Sequence, residues 1–362
     1  MSKFKSATLV LENGKKFEGF AFGDECAVSG EVVFSTAMTG YTESLTDPSY
    51  QGQILVMTYP LVGNYGVPDI ERVDGVIKAF ESENIHIRGL IVTDYSFEYS
   101  HWNAAKSLDQ WLKDNHIPAI FGIDTRELTK EIRENGVMLG KILPEGCQDI
   151  DTYYNPNVED LVSEVSCAET VTYGEGDCKV VVLDCGCKES TIYGLLKRGV
   201  QVVRVPYNCD LSTMDYDGIL LSNGPGNPEN YQSIVENIRK AMAQDKPIFG
   251  MGLGHQLLAL AAGAKTIKLK YGHRGASQPV AIVGQDRAVM TSQNHGYAVD
   301  SDSLPEDWQT TFTNLNDGTN EGISHKTKPF SSVQFTPEAT RGPEDVAFLF
   351  DNFIEQIRQC KK

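Results

Sequence analysis

Apolar and polar positions follow two different patterns in this chain. Over roughly the first 145 residues they alternate in short runs. Ala7-Thr8-Leu9-Val10-Leu11 alternates and stops at Glu12-Asn13-Gly14, a hairpin signal answered by the apolar positions of Lys16-Phe17-Glu18-Gly19-Phe20-Ala21-Phe22. Further strands are expected at 31–35, 53–58 and 89–92. Asp124-Thr125-Arg126-Glu127 has the form of a capping box, and the helix it opens should run to Gly136. From Lys179 the pattern changes. Near-continuous apolar runs at 179–184, 200–205 and 216–221 alternate with helical segments: 189–198, stopped by Gly199, and an amphipathic 229–242 with Ile234, Val235, Ile238, Ala241 and Met242 on one face. A fourth apolar strand, 246–249, follows. Such strands separated by helices predict a parallel sheet covered on both faces. A last helix is expected from near Pro343, with Val346, Leu349, Phe350, Phe353, Ile354 and Ile357 as its buried stripe. Between the two patterns, Pro144 to Asp177 is acidic and irregular, with a short helix near 158–165. The expected organisation is α/β throughout: a mixed α/β domain over 1–150, a linker over 151–177, and a domain over 178–362 with a mostly parallel sheet flanked by helices.

Composition narrows the partners. The 362 residues carry 32 basic and 49 acidic side chains, a net charge of -17, which argues against direct nucleic-acid binding because phosphate contacts need clustered Lys and Arg. No apolar run approaches the ~18 residues of a membrane span. Met1-Ser2-Lys3-Phe4-Lys5-Ser6 lacks an apolar signal core, so a cytoplasmic protein is expected. None of the eight cysteines forms a CxxC pair and no histidine cluster sits near them, so they are read as reduced thiols and no metal site is expected.

The candidate chemistry lies in turns that follow strands, where open α/β sheets bind ligands. One is Ser222-Asn223-Gly224-Pro225-Gly226-Asn227-Pro228. Another is Gln293-Asn294-His295-Gly296-Tyr297, and a further turn, 334–339, follows an apparent strand at 330–333. The most informative is Phe249-Gly250-Met251-Gly252-Leu253-Gly254-His255-Gln256. It runs from a buried strand through a tight turn into a helix, the layout of a nucleophile elbow, in which the central side chain stands above the sheet on strained backbone. Here the central residue is Gly252, which has no side chain.

In this order the turns resemble the class I (triad) glutamine amidotransferases. Gly30-Glu31-Val32-Val33-Phe34, Met38-Thr39-Gly40-Tyr41, Leu45-Thr46-Asp47-Pro48-Ser49-Tyr50, Tyr59-Pro60-Leu61-Val62-Gly63-Asn64 and Asp124-Thr125-Arg126 narrow the resemblance to the small subunit of carbamoyl-phosphate synthase, over Ala7 to about Gln359. The resemblance makes 1–150 the small-subunit domain and 178–362 the amidotransferase-like domain. It implies a subunit that hydrolyses glutamine and passes ammonia to a large subunit, which makes carbamoyl phosphate for arginine and pyrimidine synthesis. ATP and divalent metal would belong to that large subunit, and this chain would hold no cofactor. Its glycine-rich turns also lack the GxxxxGK[ST] phosphate loop.

Family glutaminases use a Cys thiolate, a His base and a Glu that orients the His. By the resemblance Gly252 stands at the nucleophile position, Thr336 at the base position and Glu338 at the third. Only Glu338 keeps the family residue, so glutaminase activity is expected to be absent. Because the Cys, the His and a neighbouring Gly (now Phe335) all differ, the pattern fits natural divergence better than a single laboratory substitution. Phe335 is expected to fill the vacated space. The resemblance further assigns glutamine contacts to Ser49, Gly224, Gly226, Leu253, Gln256, Asn294, Gly296 and Tyr297, with Gly226 and Leu253 supplying oxyanion-hole N–H groups. The glycines also have a plain reading as tight-turn residues. His255, His295, Cys185 and Cys187 are read as packed residues rather than replacement catalytic groups. Two functions follow. The chain is the small subunit of an ammonia-dependent synthase, partnered with a large subunit, or it is a glutamine-binding sensor or regulatory paralogue.

Overall fold

The computed structural model describes residues 4–338 and 342–361. The expected turn at 334–339 is thus described up to Glu338, and the first three residues of the amino-terminal stretch lie outside the described residues. The chain divides into two units, one of residues 1–71 with 79–159, the other of 72–78 with 160–362. The stretch 151–177 is shared between them.

The first unit is built on a closed barrel. Its strands run in the order Ser6–Leu11, Met138–Pro144, Val28–Ser35, Gln53–Met57, Gly89–Ile91, Pro118–Phe121 and Lys16–Gly23. The hairpin expected at Glu12-Asn13-Gly14 forms with Val10 opposite Lys16. Leu9, Leu11, Val32, Val33, Ile54, Leu55, Leu90, Ile91, Ile120 and Ile142 are fully buried. The helix Thr125–Asn135 starts where the capping box places it. Asp124 accepts a hydrogen bond from the Glu127 N–H at 2.9 Å, and Gly136 ends the helix at φ 93°.

The second unit carries a ten-stranded mixed sheet. Its centre is parallel, in the order Gln201–Pro206, Lys179–Asp184, Gly218–Leu221, Ile248–Met251 and Phe330–Val333. Val180 to Leu183, Ile219 to Leu221 and Ile248 to Met251 are buried, as strands covered on both faces must be. One face packs on Leu253–Ala262 and Gln232–Met242, with Leu257, Leu258, Ile234, Val235 and Ile238 in the core. The other packs on Glu189–Leu196 and Phe348–Cys360 through Ile192, Leu195, Phe350, Phe353, Ile354 and Ile357. That last helix begins at Phe348 rather than near Pro343; Val346, Ala347 and Glu344 form tight turns before it.

Beyond Phe330–Val333 the sheet continues as an antiparallel flank of Asn320–His325, Trp308–Asn314, Thr266–Ile282 and Ala288–Val299, which the hydropathy pattern did not predict. Gln293-Asn294-His295-Gly296-Tyr297, expected as a turn, lies inside the strand Ala288–Val299. Its partner strand shifts register between Lys268 and His273, where Gly272 takes φ 70°, and this bulge gives the segment its irregular look in sequence. A hairpin of Glu71–Val73 and Val76–Lys78 also belongs to this unit. It turns on Asp74 and Gly75, both at positive φ, and the Ile77 N–H donates to Glu189 Oε2 at 2.9 Å.

Candidate functional site: a strand-to-helix elbow headed by glycine

The elbow forms as the spacing requires. The strand Ile248–Met251 ends at Gly252, whose φ of 56° and ψ of -114° reverse the chain into the helix Leu253–Ala262. The Gly252 N–H donates to Val333 O and the Gly254 N–H to Ser222 O, tying the turn to both neighbouring strand ends. Gly254 is sterically required, since a Cβ there would meet Leu221 O at 2.2 Å. Gly252 differs. Its backbone is strained for an L side chain, yet the nearest atoms to a built Cβ are Asn223 Cβ at 3.0 Å, Asn223 Cα at 3.4 Å and the Gln334 carbonyl at 4.0 Å. The turn is formed, and a residue without a side chain stands at its head.

Phe335 does not occupy the space above Gly252. It is fully buried and packs edge-on against Phe312, ring centroids 5.3 Å apart, in a cluster with Val280, Val289 and Val333. Phe335 lies in the bend that follows the strand Phe330–Val333, and its ring turns into the core rather than toward the elbow. Thr336 donates its hydroxyl to Ser292 O at 3.1 Å and its N–H to the same carbonyl at 3.0 Å, so its side chain is committed to the backbone. Glu338 is buried, accepts a hydrogen bond from the Thr191 hydroxyl and lies 4.0 Å from the Lys188 ammonium. The carboxylate that would steady an imidazole is thus held by a hydroxyl and a buried cation from the start of the helix Glu189–Leu196.

The predicted glutamine frame falls partly on this turn. The Gln256 amide nitrogen donates to Tyr297 O at 2.8 Å and to Gln334 Oε1 at 3.0 Å, so both its hydrogens brace the fold. Leu253 opens the helix behind Gly252, and a Cβ built on Gly224 would lie 3.0 Å from Leu253 Cδ2 and 2.0 Å from Cys185 O. Gly226 sits at φ 89° against the Tyr231 hydroxyl. Asn294 pairs with Arg274 across the bulged strands, Gly296 lies beside the Arg274 guanidinium, and Lys268 reaches over the Tyr297 ring at 5.9 Å. Ser49 belongs to the other unit. It sits in the turn Pro48–Tyr50, where its N–H donates to Asp47 Oδ1.

Among the described residues, the histidine and cysteines nearest the elbow are packed rather than poised for catalysis. His255 is fully buried with Nδ1 2.8 Å from Ser332 Oγ, and burial pushes its pKa down to about 3. Cys185 and Cys187 are fully buried, and burial raises both thiols far above the range in which a thiolate forms near neutral pH. The Lys188, Thr191 and Glu338 arrangement escaped the sequence reading, because Thr191 and Glu338 are 147 residues apart and share no local signal. A second arrangement that it missed brings His273, His295 and Glu321 together, all buried, from three strands of the antiparallel flank.

The parallel centre, the elbow and the turns around it define a class I glutamine amidotransferase domain. Residues 181–356 match the family model of the class-I glutamine amidotransferases, and residues 9–142 match that of the carbamoyl-phosphate synthase small chain, CPSase domain. The carbamoyl phosphate synthase arginine-specific small chain of Schizosaccharomyces pombe is 47% identical over 98% of this chain and 88% of its own. This chain therefore belongs to the carbamoyl-phosphate synthase small-chain family. It is also 49% identical to the mitochondrial carbamoyl-phosphate synthase [ammonia] of Aquarana catesbeiana, over 99% of this chain and 24% of that one. The multifunctional protein CAD of Squalus acanthias is 51% identical over 98% of this chain and 16% of its own. The chain thus spans about a quarter or less of the length of these two longer relatives.

Proposed function

We propose that this chain is the small subunit of a carbamoyl-phosphate synthase in arginine or pyrimidine synthesis, that it has lost glutaminase activity, and that the synthase draws on free ammonia. The observation carrying this reading is Gly252 at the head of an intact elbow. Glutamine hydrolysis needs a sulfur that attacks the amide carbon and a base that takes the thiol proton and returns it to the leaving ammonia. Position 252 offers no atom for the attack, and the Thr336 hydroxyl proton is bound to Ser292 O. Removal of a nucleophile that acts as a unit with its base costs on the order of 10⁶ in turnover. The name of the Aquarana catesbeiana relative specifies ammonia, which fits the same reading.

The partner is a carbamoyl-phosphate synthase large subunit, which supplies the ATP chemistry. The test is synthase turnover of the reconstituted pair with glutamine and with ammonium. Ammonium should support turnover and glutamine should not, by a factor of at least about 10³, well within the loss expected for a missing nucleophile. Robust glutamine-dependent turnover would overturn the reading. The alternative of a glutamine sensor is distinguished by calorimetry: tight glutamine binding by a chain that captures no large subunit would favour it.

A further inference from the structure

We propose that His273, His295, Glu321 and Gln293 form a buried site for one divalent ion of the zinc and cobalt class, independent of the glutaminase question. Donor atoms of His273, His295 and Glu321 all lie within 4.8 Å of one another, and the three residues are buried. They come from the strands Thr266–Ile282, Ala288–Val299 and Asn320–His325.

The hydrogen bonds around the cluster set the His295 tautomer and place His273 between two carboxylates. His295 Nδ1 lies 2.8 Å from Tyr297 O, which can only accept, so Nδ1 carries the proton and Nε2 presents a lone pair. Across from Nε2, at 3.1 Å, stands Gln293 Oε1. The Gln293 amide cannot simply be reversed. Its nitrogen donates to Thr291 Oγ1, whose own hydroxyl donates to Gln278 O. Two acceptors therefore face each other in a buried space, an arrangement that calls for a cation between them. His273 Nε2 meets Asp317 Oδ2 at 2.9 Å, and its Nδ1 lies 3.3 Å from both Asn314 Nδ2 and Glu321 Oε1; the Asn314 amide also donates to Glu321 Oε1 at 2.9 Å, and the ion would replace these Asn314 contacts. Imidazoles oriented by a carboxylate and by a backbone carbonyl are the usual outer support of a metal-bound histidine. Glu321 Oε2 has no hydrogen-bond partner among the described residues and is fully buried.

Tetrahedral zinc with bonds near 2.0–2.1 Å spaces its ligand atoms about 3.3 Å apart. The His273–Glu321 and His295–Gln293 separations, 3.3 and 3.1 Å, are close to that value, and closure of the remaining His273, His295 and Glu321 distances by up to about 1.5 Å completes the shell. Two imidazoles select zinc, cobalt or their neighbours over calcium and magnesium, which prefer oxygen alone. The ion would fix the strand bearing Asn294, Gly296 and Tyr297 against the antiparallel flank.

The test is titration of the chelator-treated full chain with Co(II), followed by visible absorption and by competition with Zn(II). One ion per chain with tetrahedral d–d bands is expected, and Glu321→Gln should weaken binding by at least about tenfold. Circular dichroism of Glu321→Gln confirms that the variant is folded. The unmodified chain alone also decides the matter. No binding would overturn the proposal. Binding with a thiolate-to-cobalt charge-transfer band, or an unchanged spectrum in folded Glu321→Gln, would place the ion on a cysteine or elsewhere and overturn it equally.

Discussion

Gly252 and Gly254 are two residues apart and do different work. At Gly254 a methyl group would collide with the Leu221 carbonyl at 2.2 Å, and backbone cannot yield cheaply. At Gly252 the obstacle is φ 56°, with Asn223 Cβ at 3.0 Å as the closest atom. Gly252→Ala should therefore fold with a loss of about 1–3 kcal/mol, the usual cost of one strained residue. Gly254→Ala should lose more or fail to fold, and urea denaturation of both variants gives the order. The buried histidines set the acid response. His255 is held at a pKa of about 3 and His86 at about 4, in each case chiefly by burial. Both are neutral in the folded chain, while the unfolded chain protonates them near pH 6.5. Their folded values are depressed, so their contribution is complete above about pH 6.5 and is lost as pH falls toward 4, at roughly 1.4 kcal/mol per unit for each. Unfolding midpoints measured from pH 7.5 to 4.5 should fall, and His86→Gln should flatten the response of the first unit while leaving that of the second. At this scale the elbow was legible because glycine spacing and an adjoining apolar strand define it locally. The bracing of Gln256 on Tyr297 and Gln334, and the capture of Glu338 by Thr191 and Lys188, depend on residues distant in sequence, so no spacing rule could reveal them.

Elements were legible in proportion to how fully they are buried. Lys179–Asp184, Gly218–Leu221 and Ile248–Met251 are buried along nearly their whole length and read as near-continuous apolar runs, whereas Gln201–Pro206 is half-buried and Phe330–Val333 carries two serines. The antiparallel flank is half-exposed. Thr266–Ile282 carries Lys268 and Lys270 outward and is broken by two register shifts, so neither period holds for long. Pro118–Phe121 and Met138–Pro144 close the barrel but were hidden by their brevity and by a glycine at 140. The Asp74-Gly75 pair is a hairpin signal carried by the sequence itself. The helix Thr125–Asn135 was placed correctly because its cap is a local feature. Asp124→Ala should remove the hydrogen bond to the Glu127 N–H and cost about 1 kcal/mol, measurable as a lower thermal midpoint of the first unit.

At the scale of the molecule, family membership and the glycine at position 252 coexist without conflict. The scaffold that positions an amidotransferase site is stabilised by the sheet and by the clusters on its two faces, none of which needs a thiol above Gly252. The fold thus does not depend on the reaction, and the ammonium preference proposed above is a property to be read from the assembled synthase rather than from this chain alone. Among the described residues no helix is long and apolar enough to cross a membrane. The path of the chain also matters for anyone who would divide it. Residues 72–78 leave the barrel's sequence to join the second unit, where Val76 and Ile77 are buried and Ile77 is tied to Glu189. Severing the chain once, near residue 159, cannot yield two self-sufficient pieces. The carboxy-terminal fragment would be missing a stitch that only the amino-terminal fragment can supply, so genetic dissection should work by complementation of the two fragments rather than by expressing either alone.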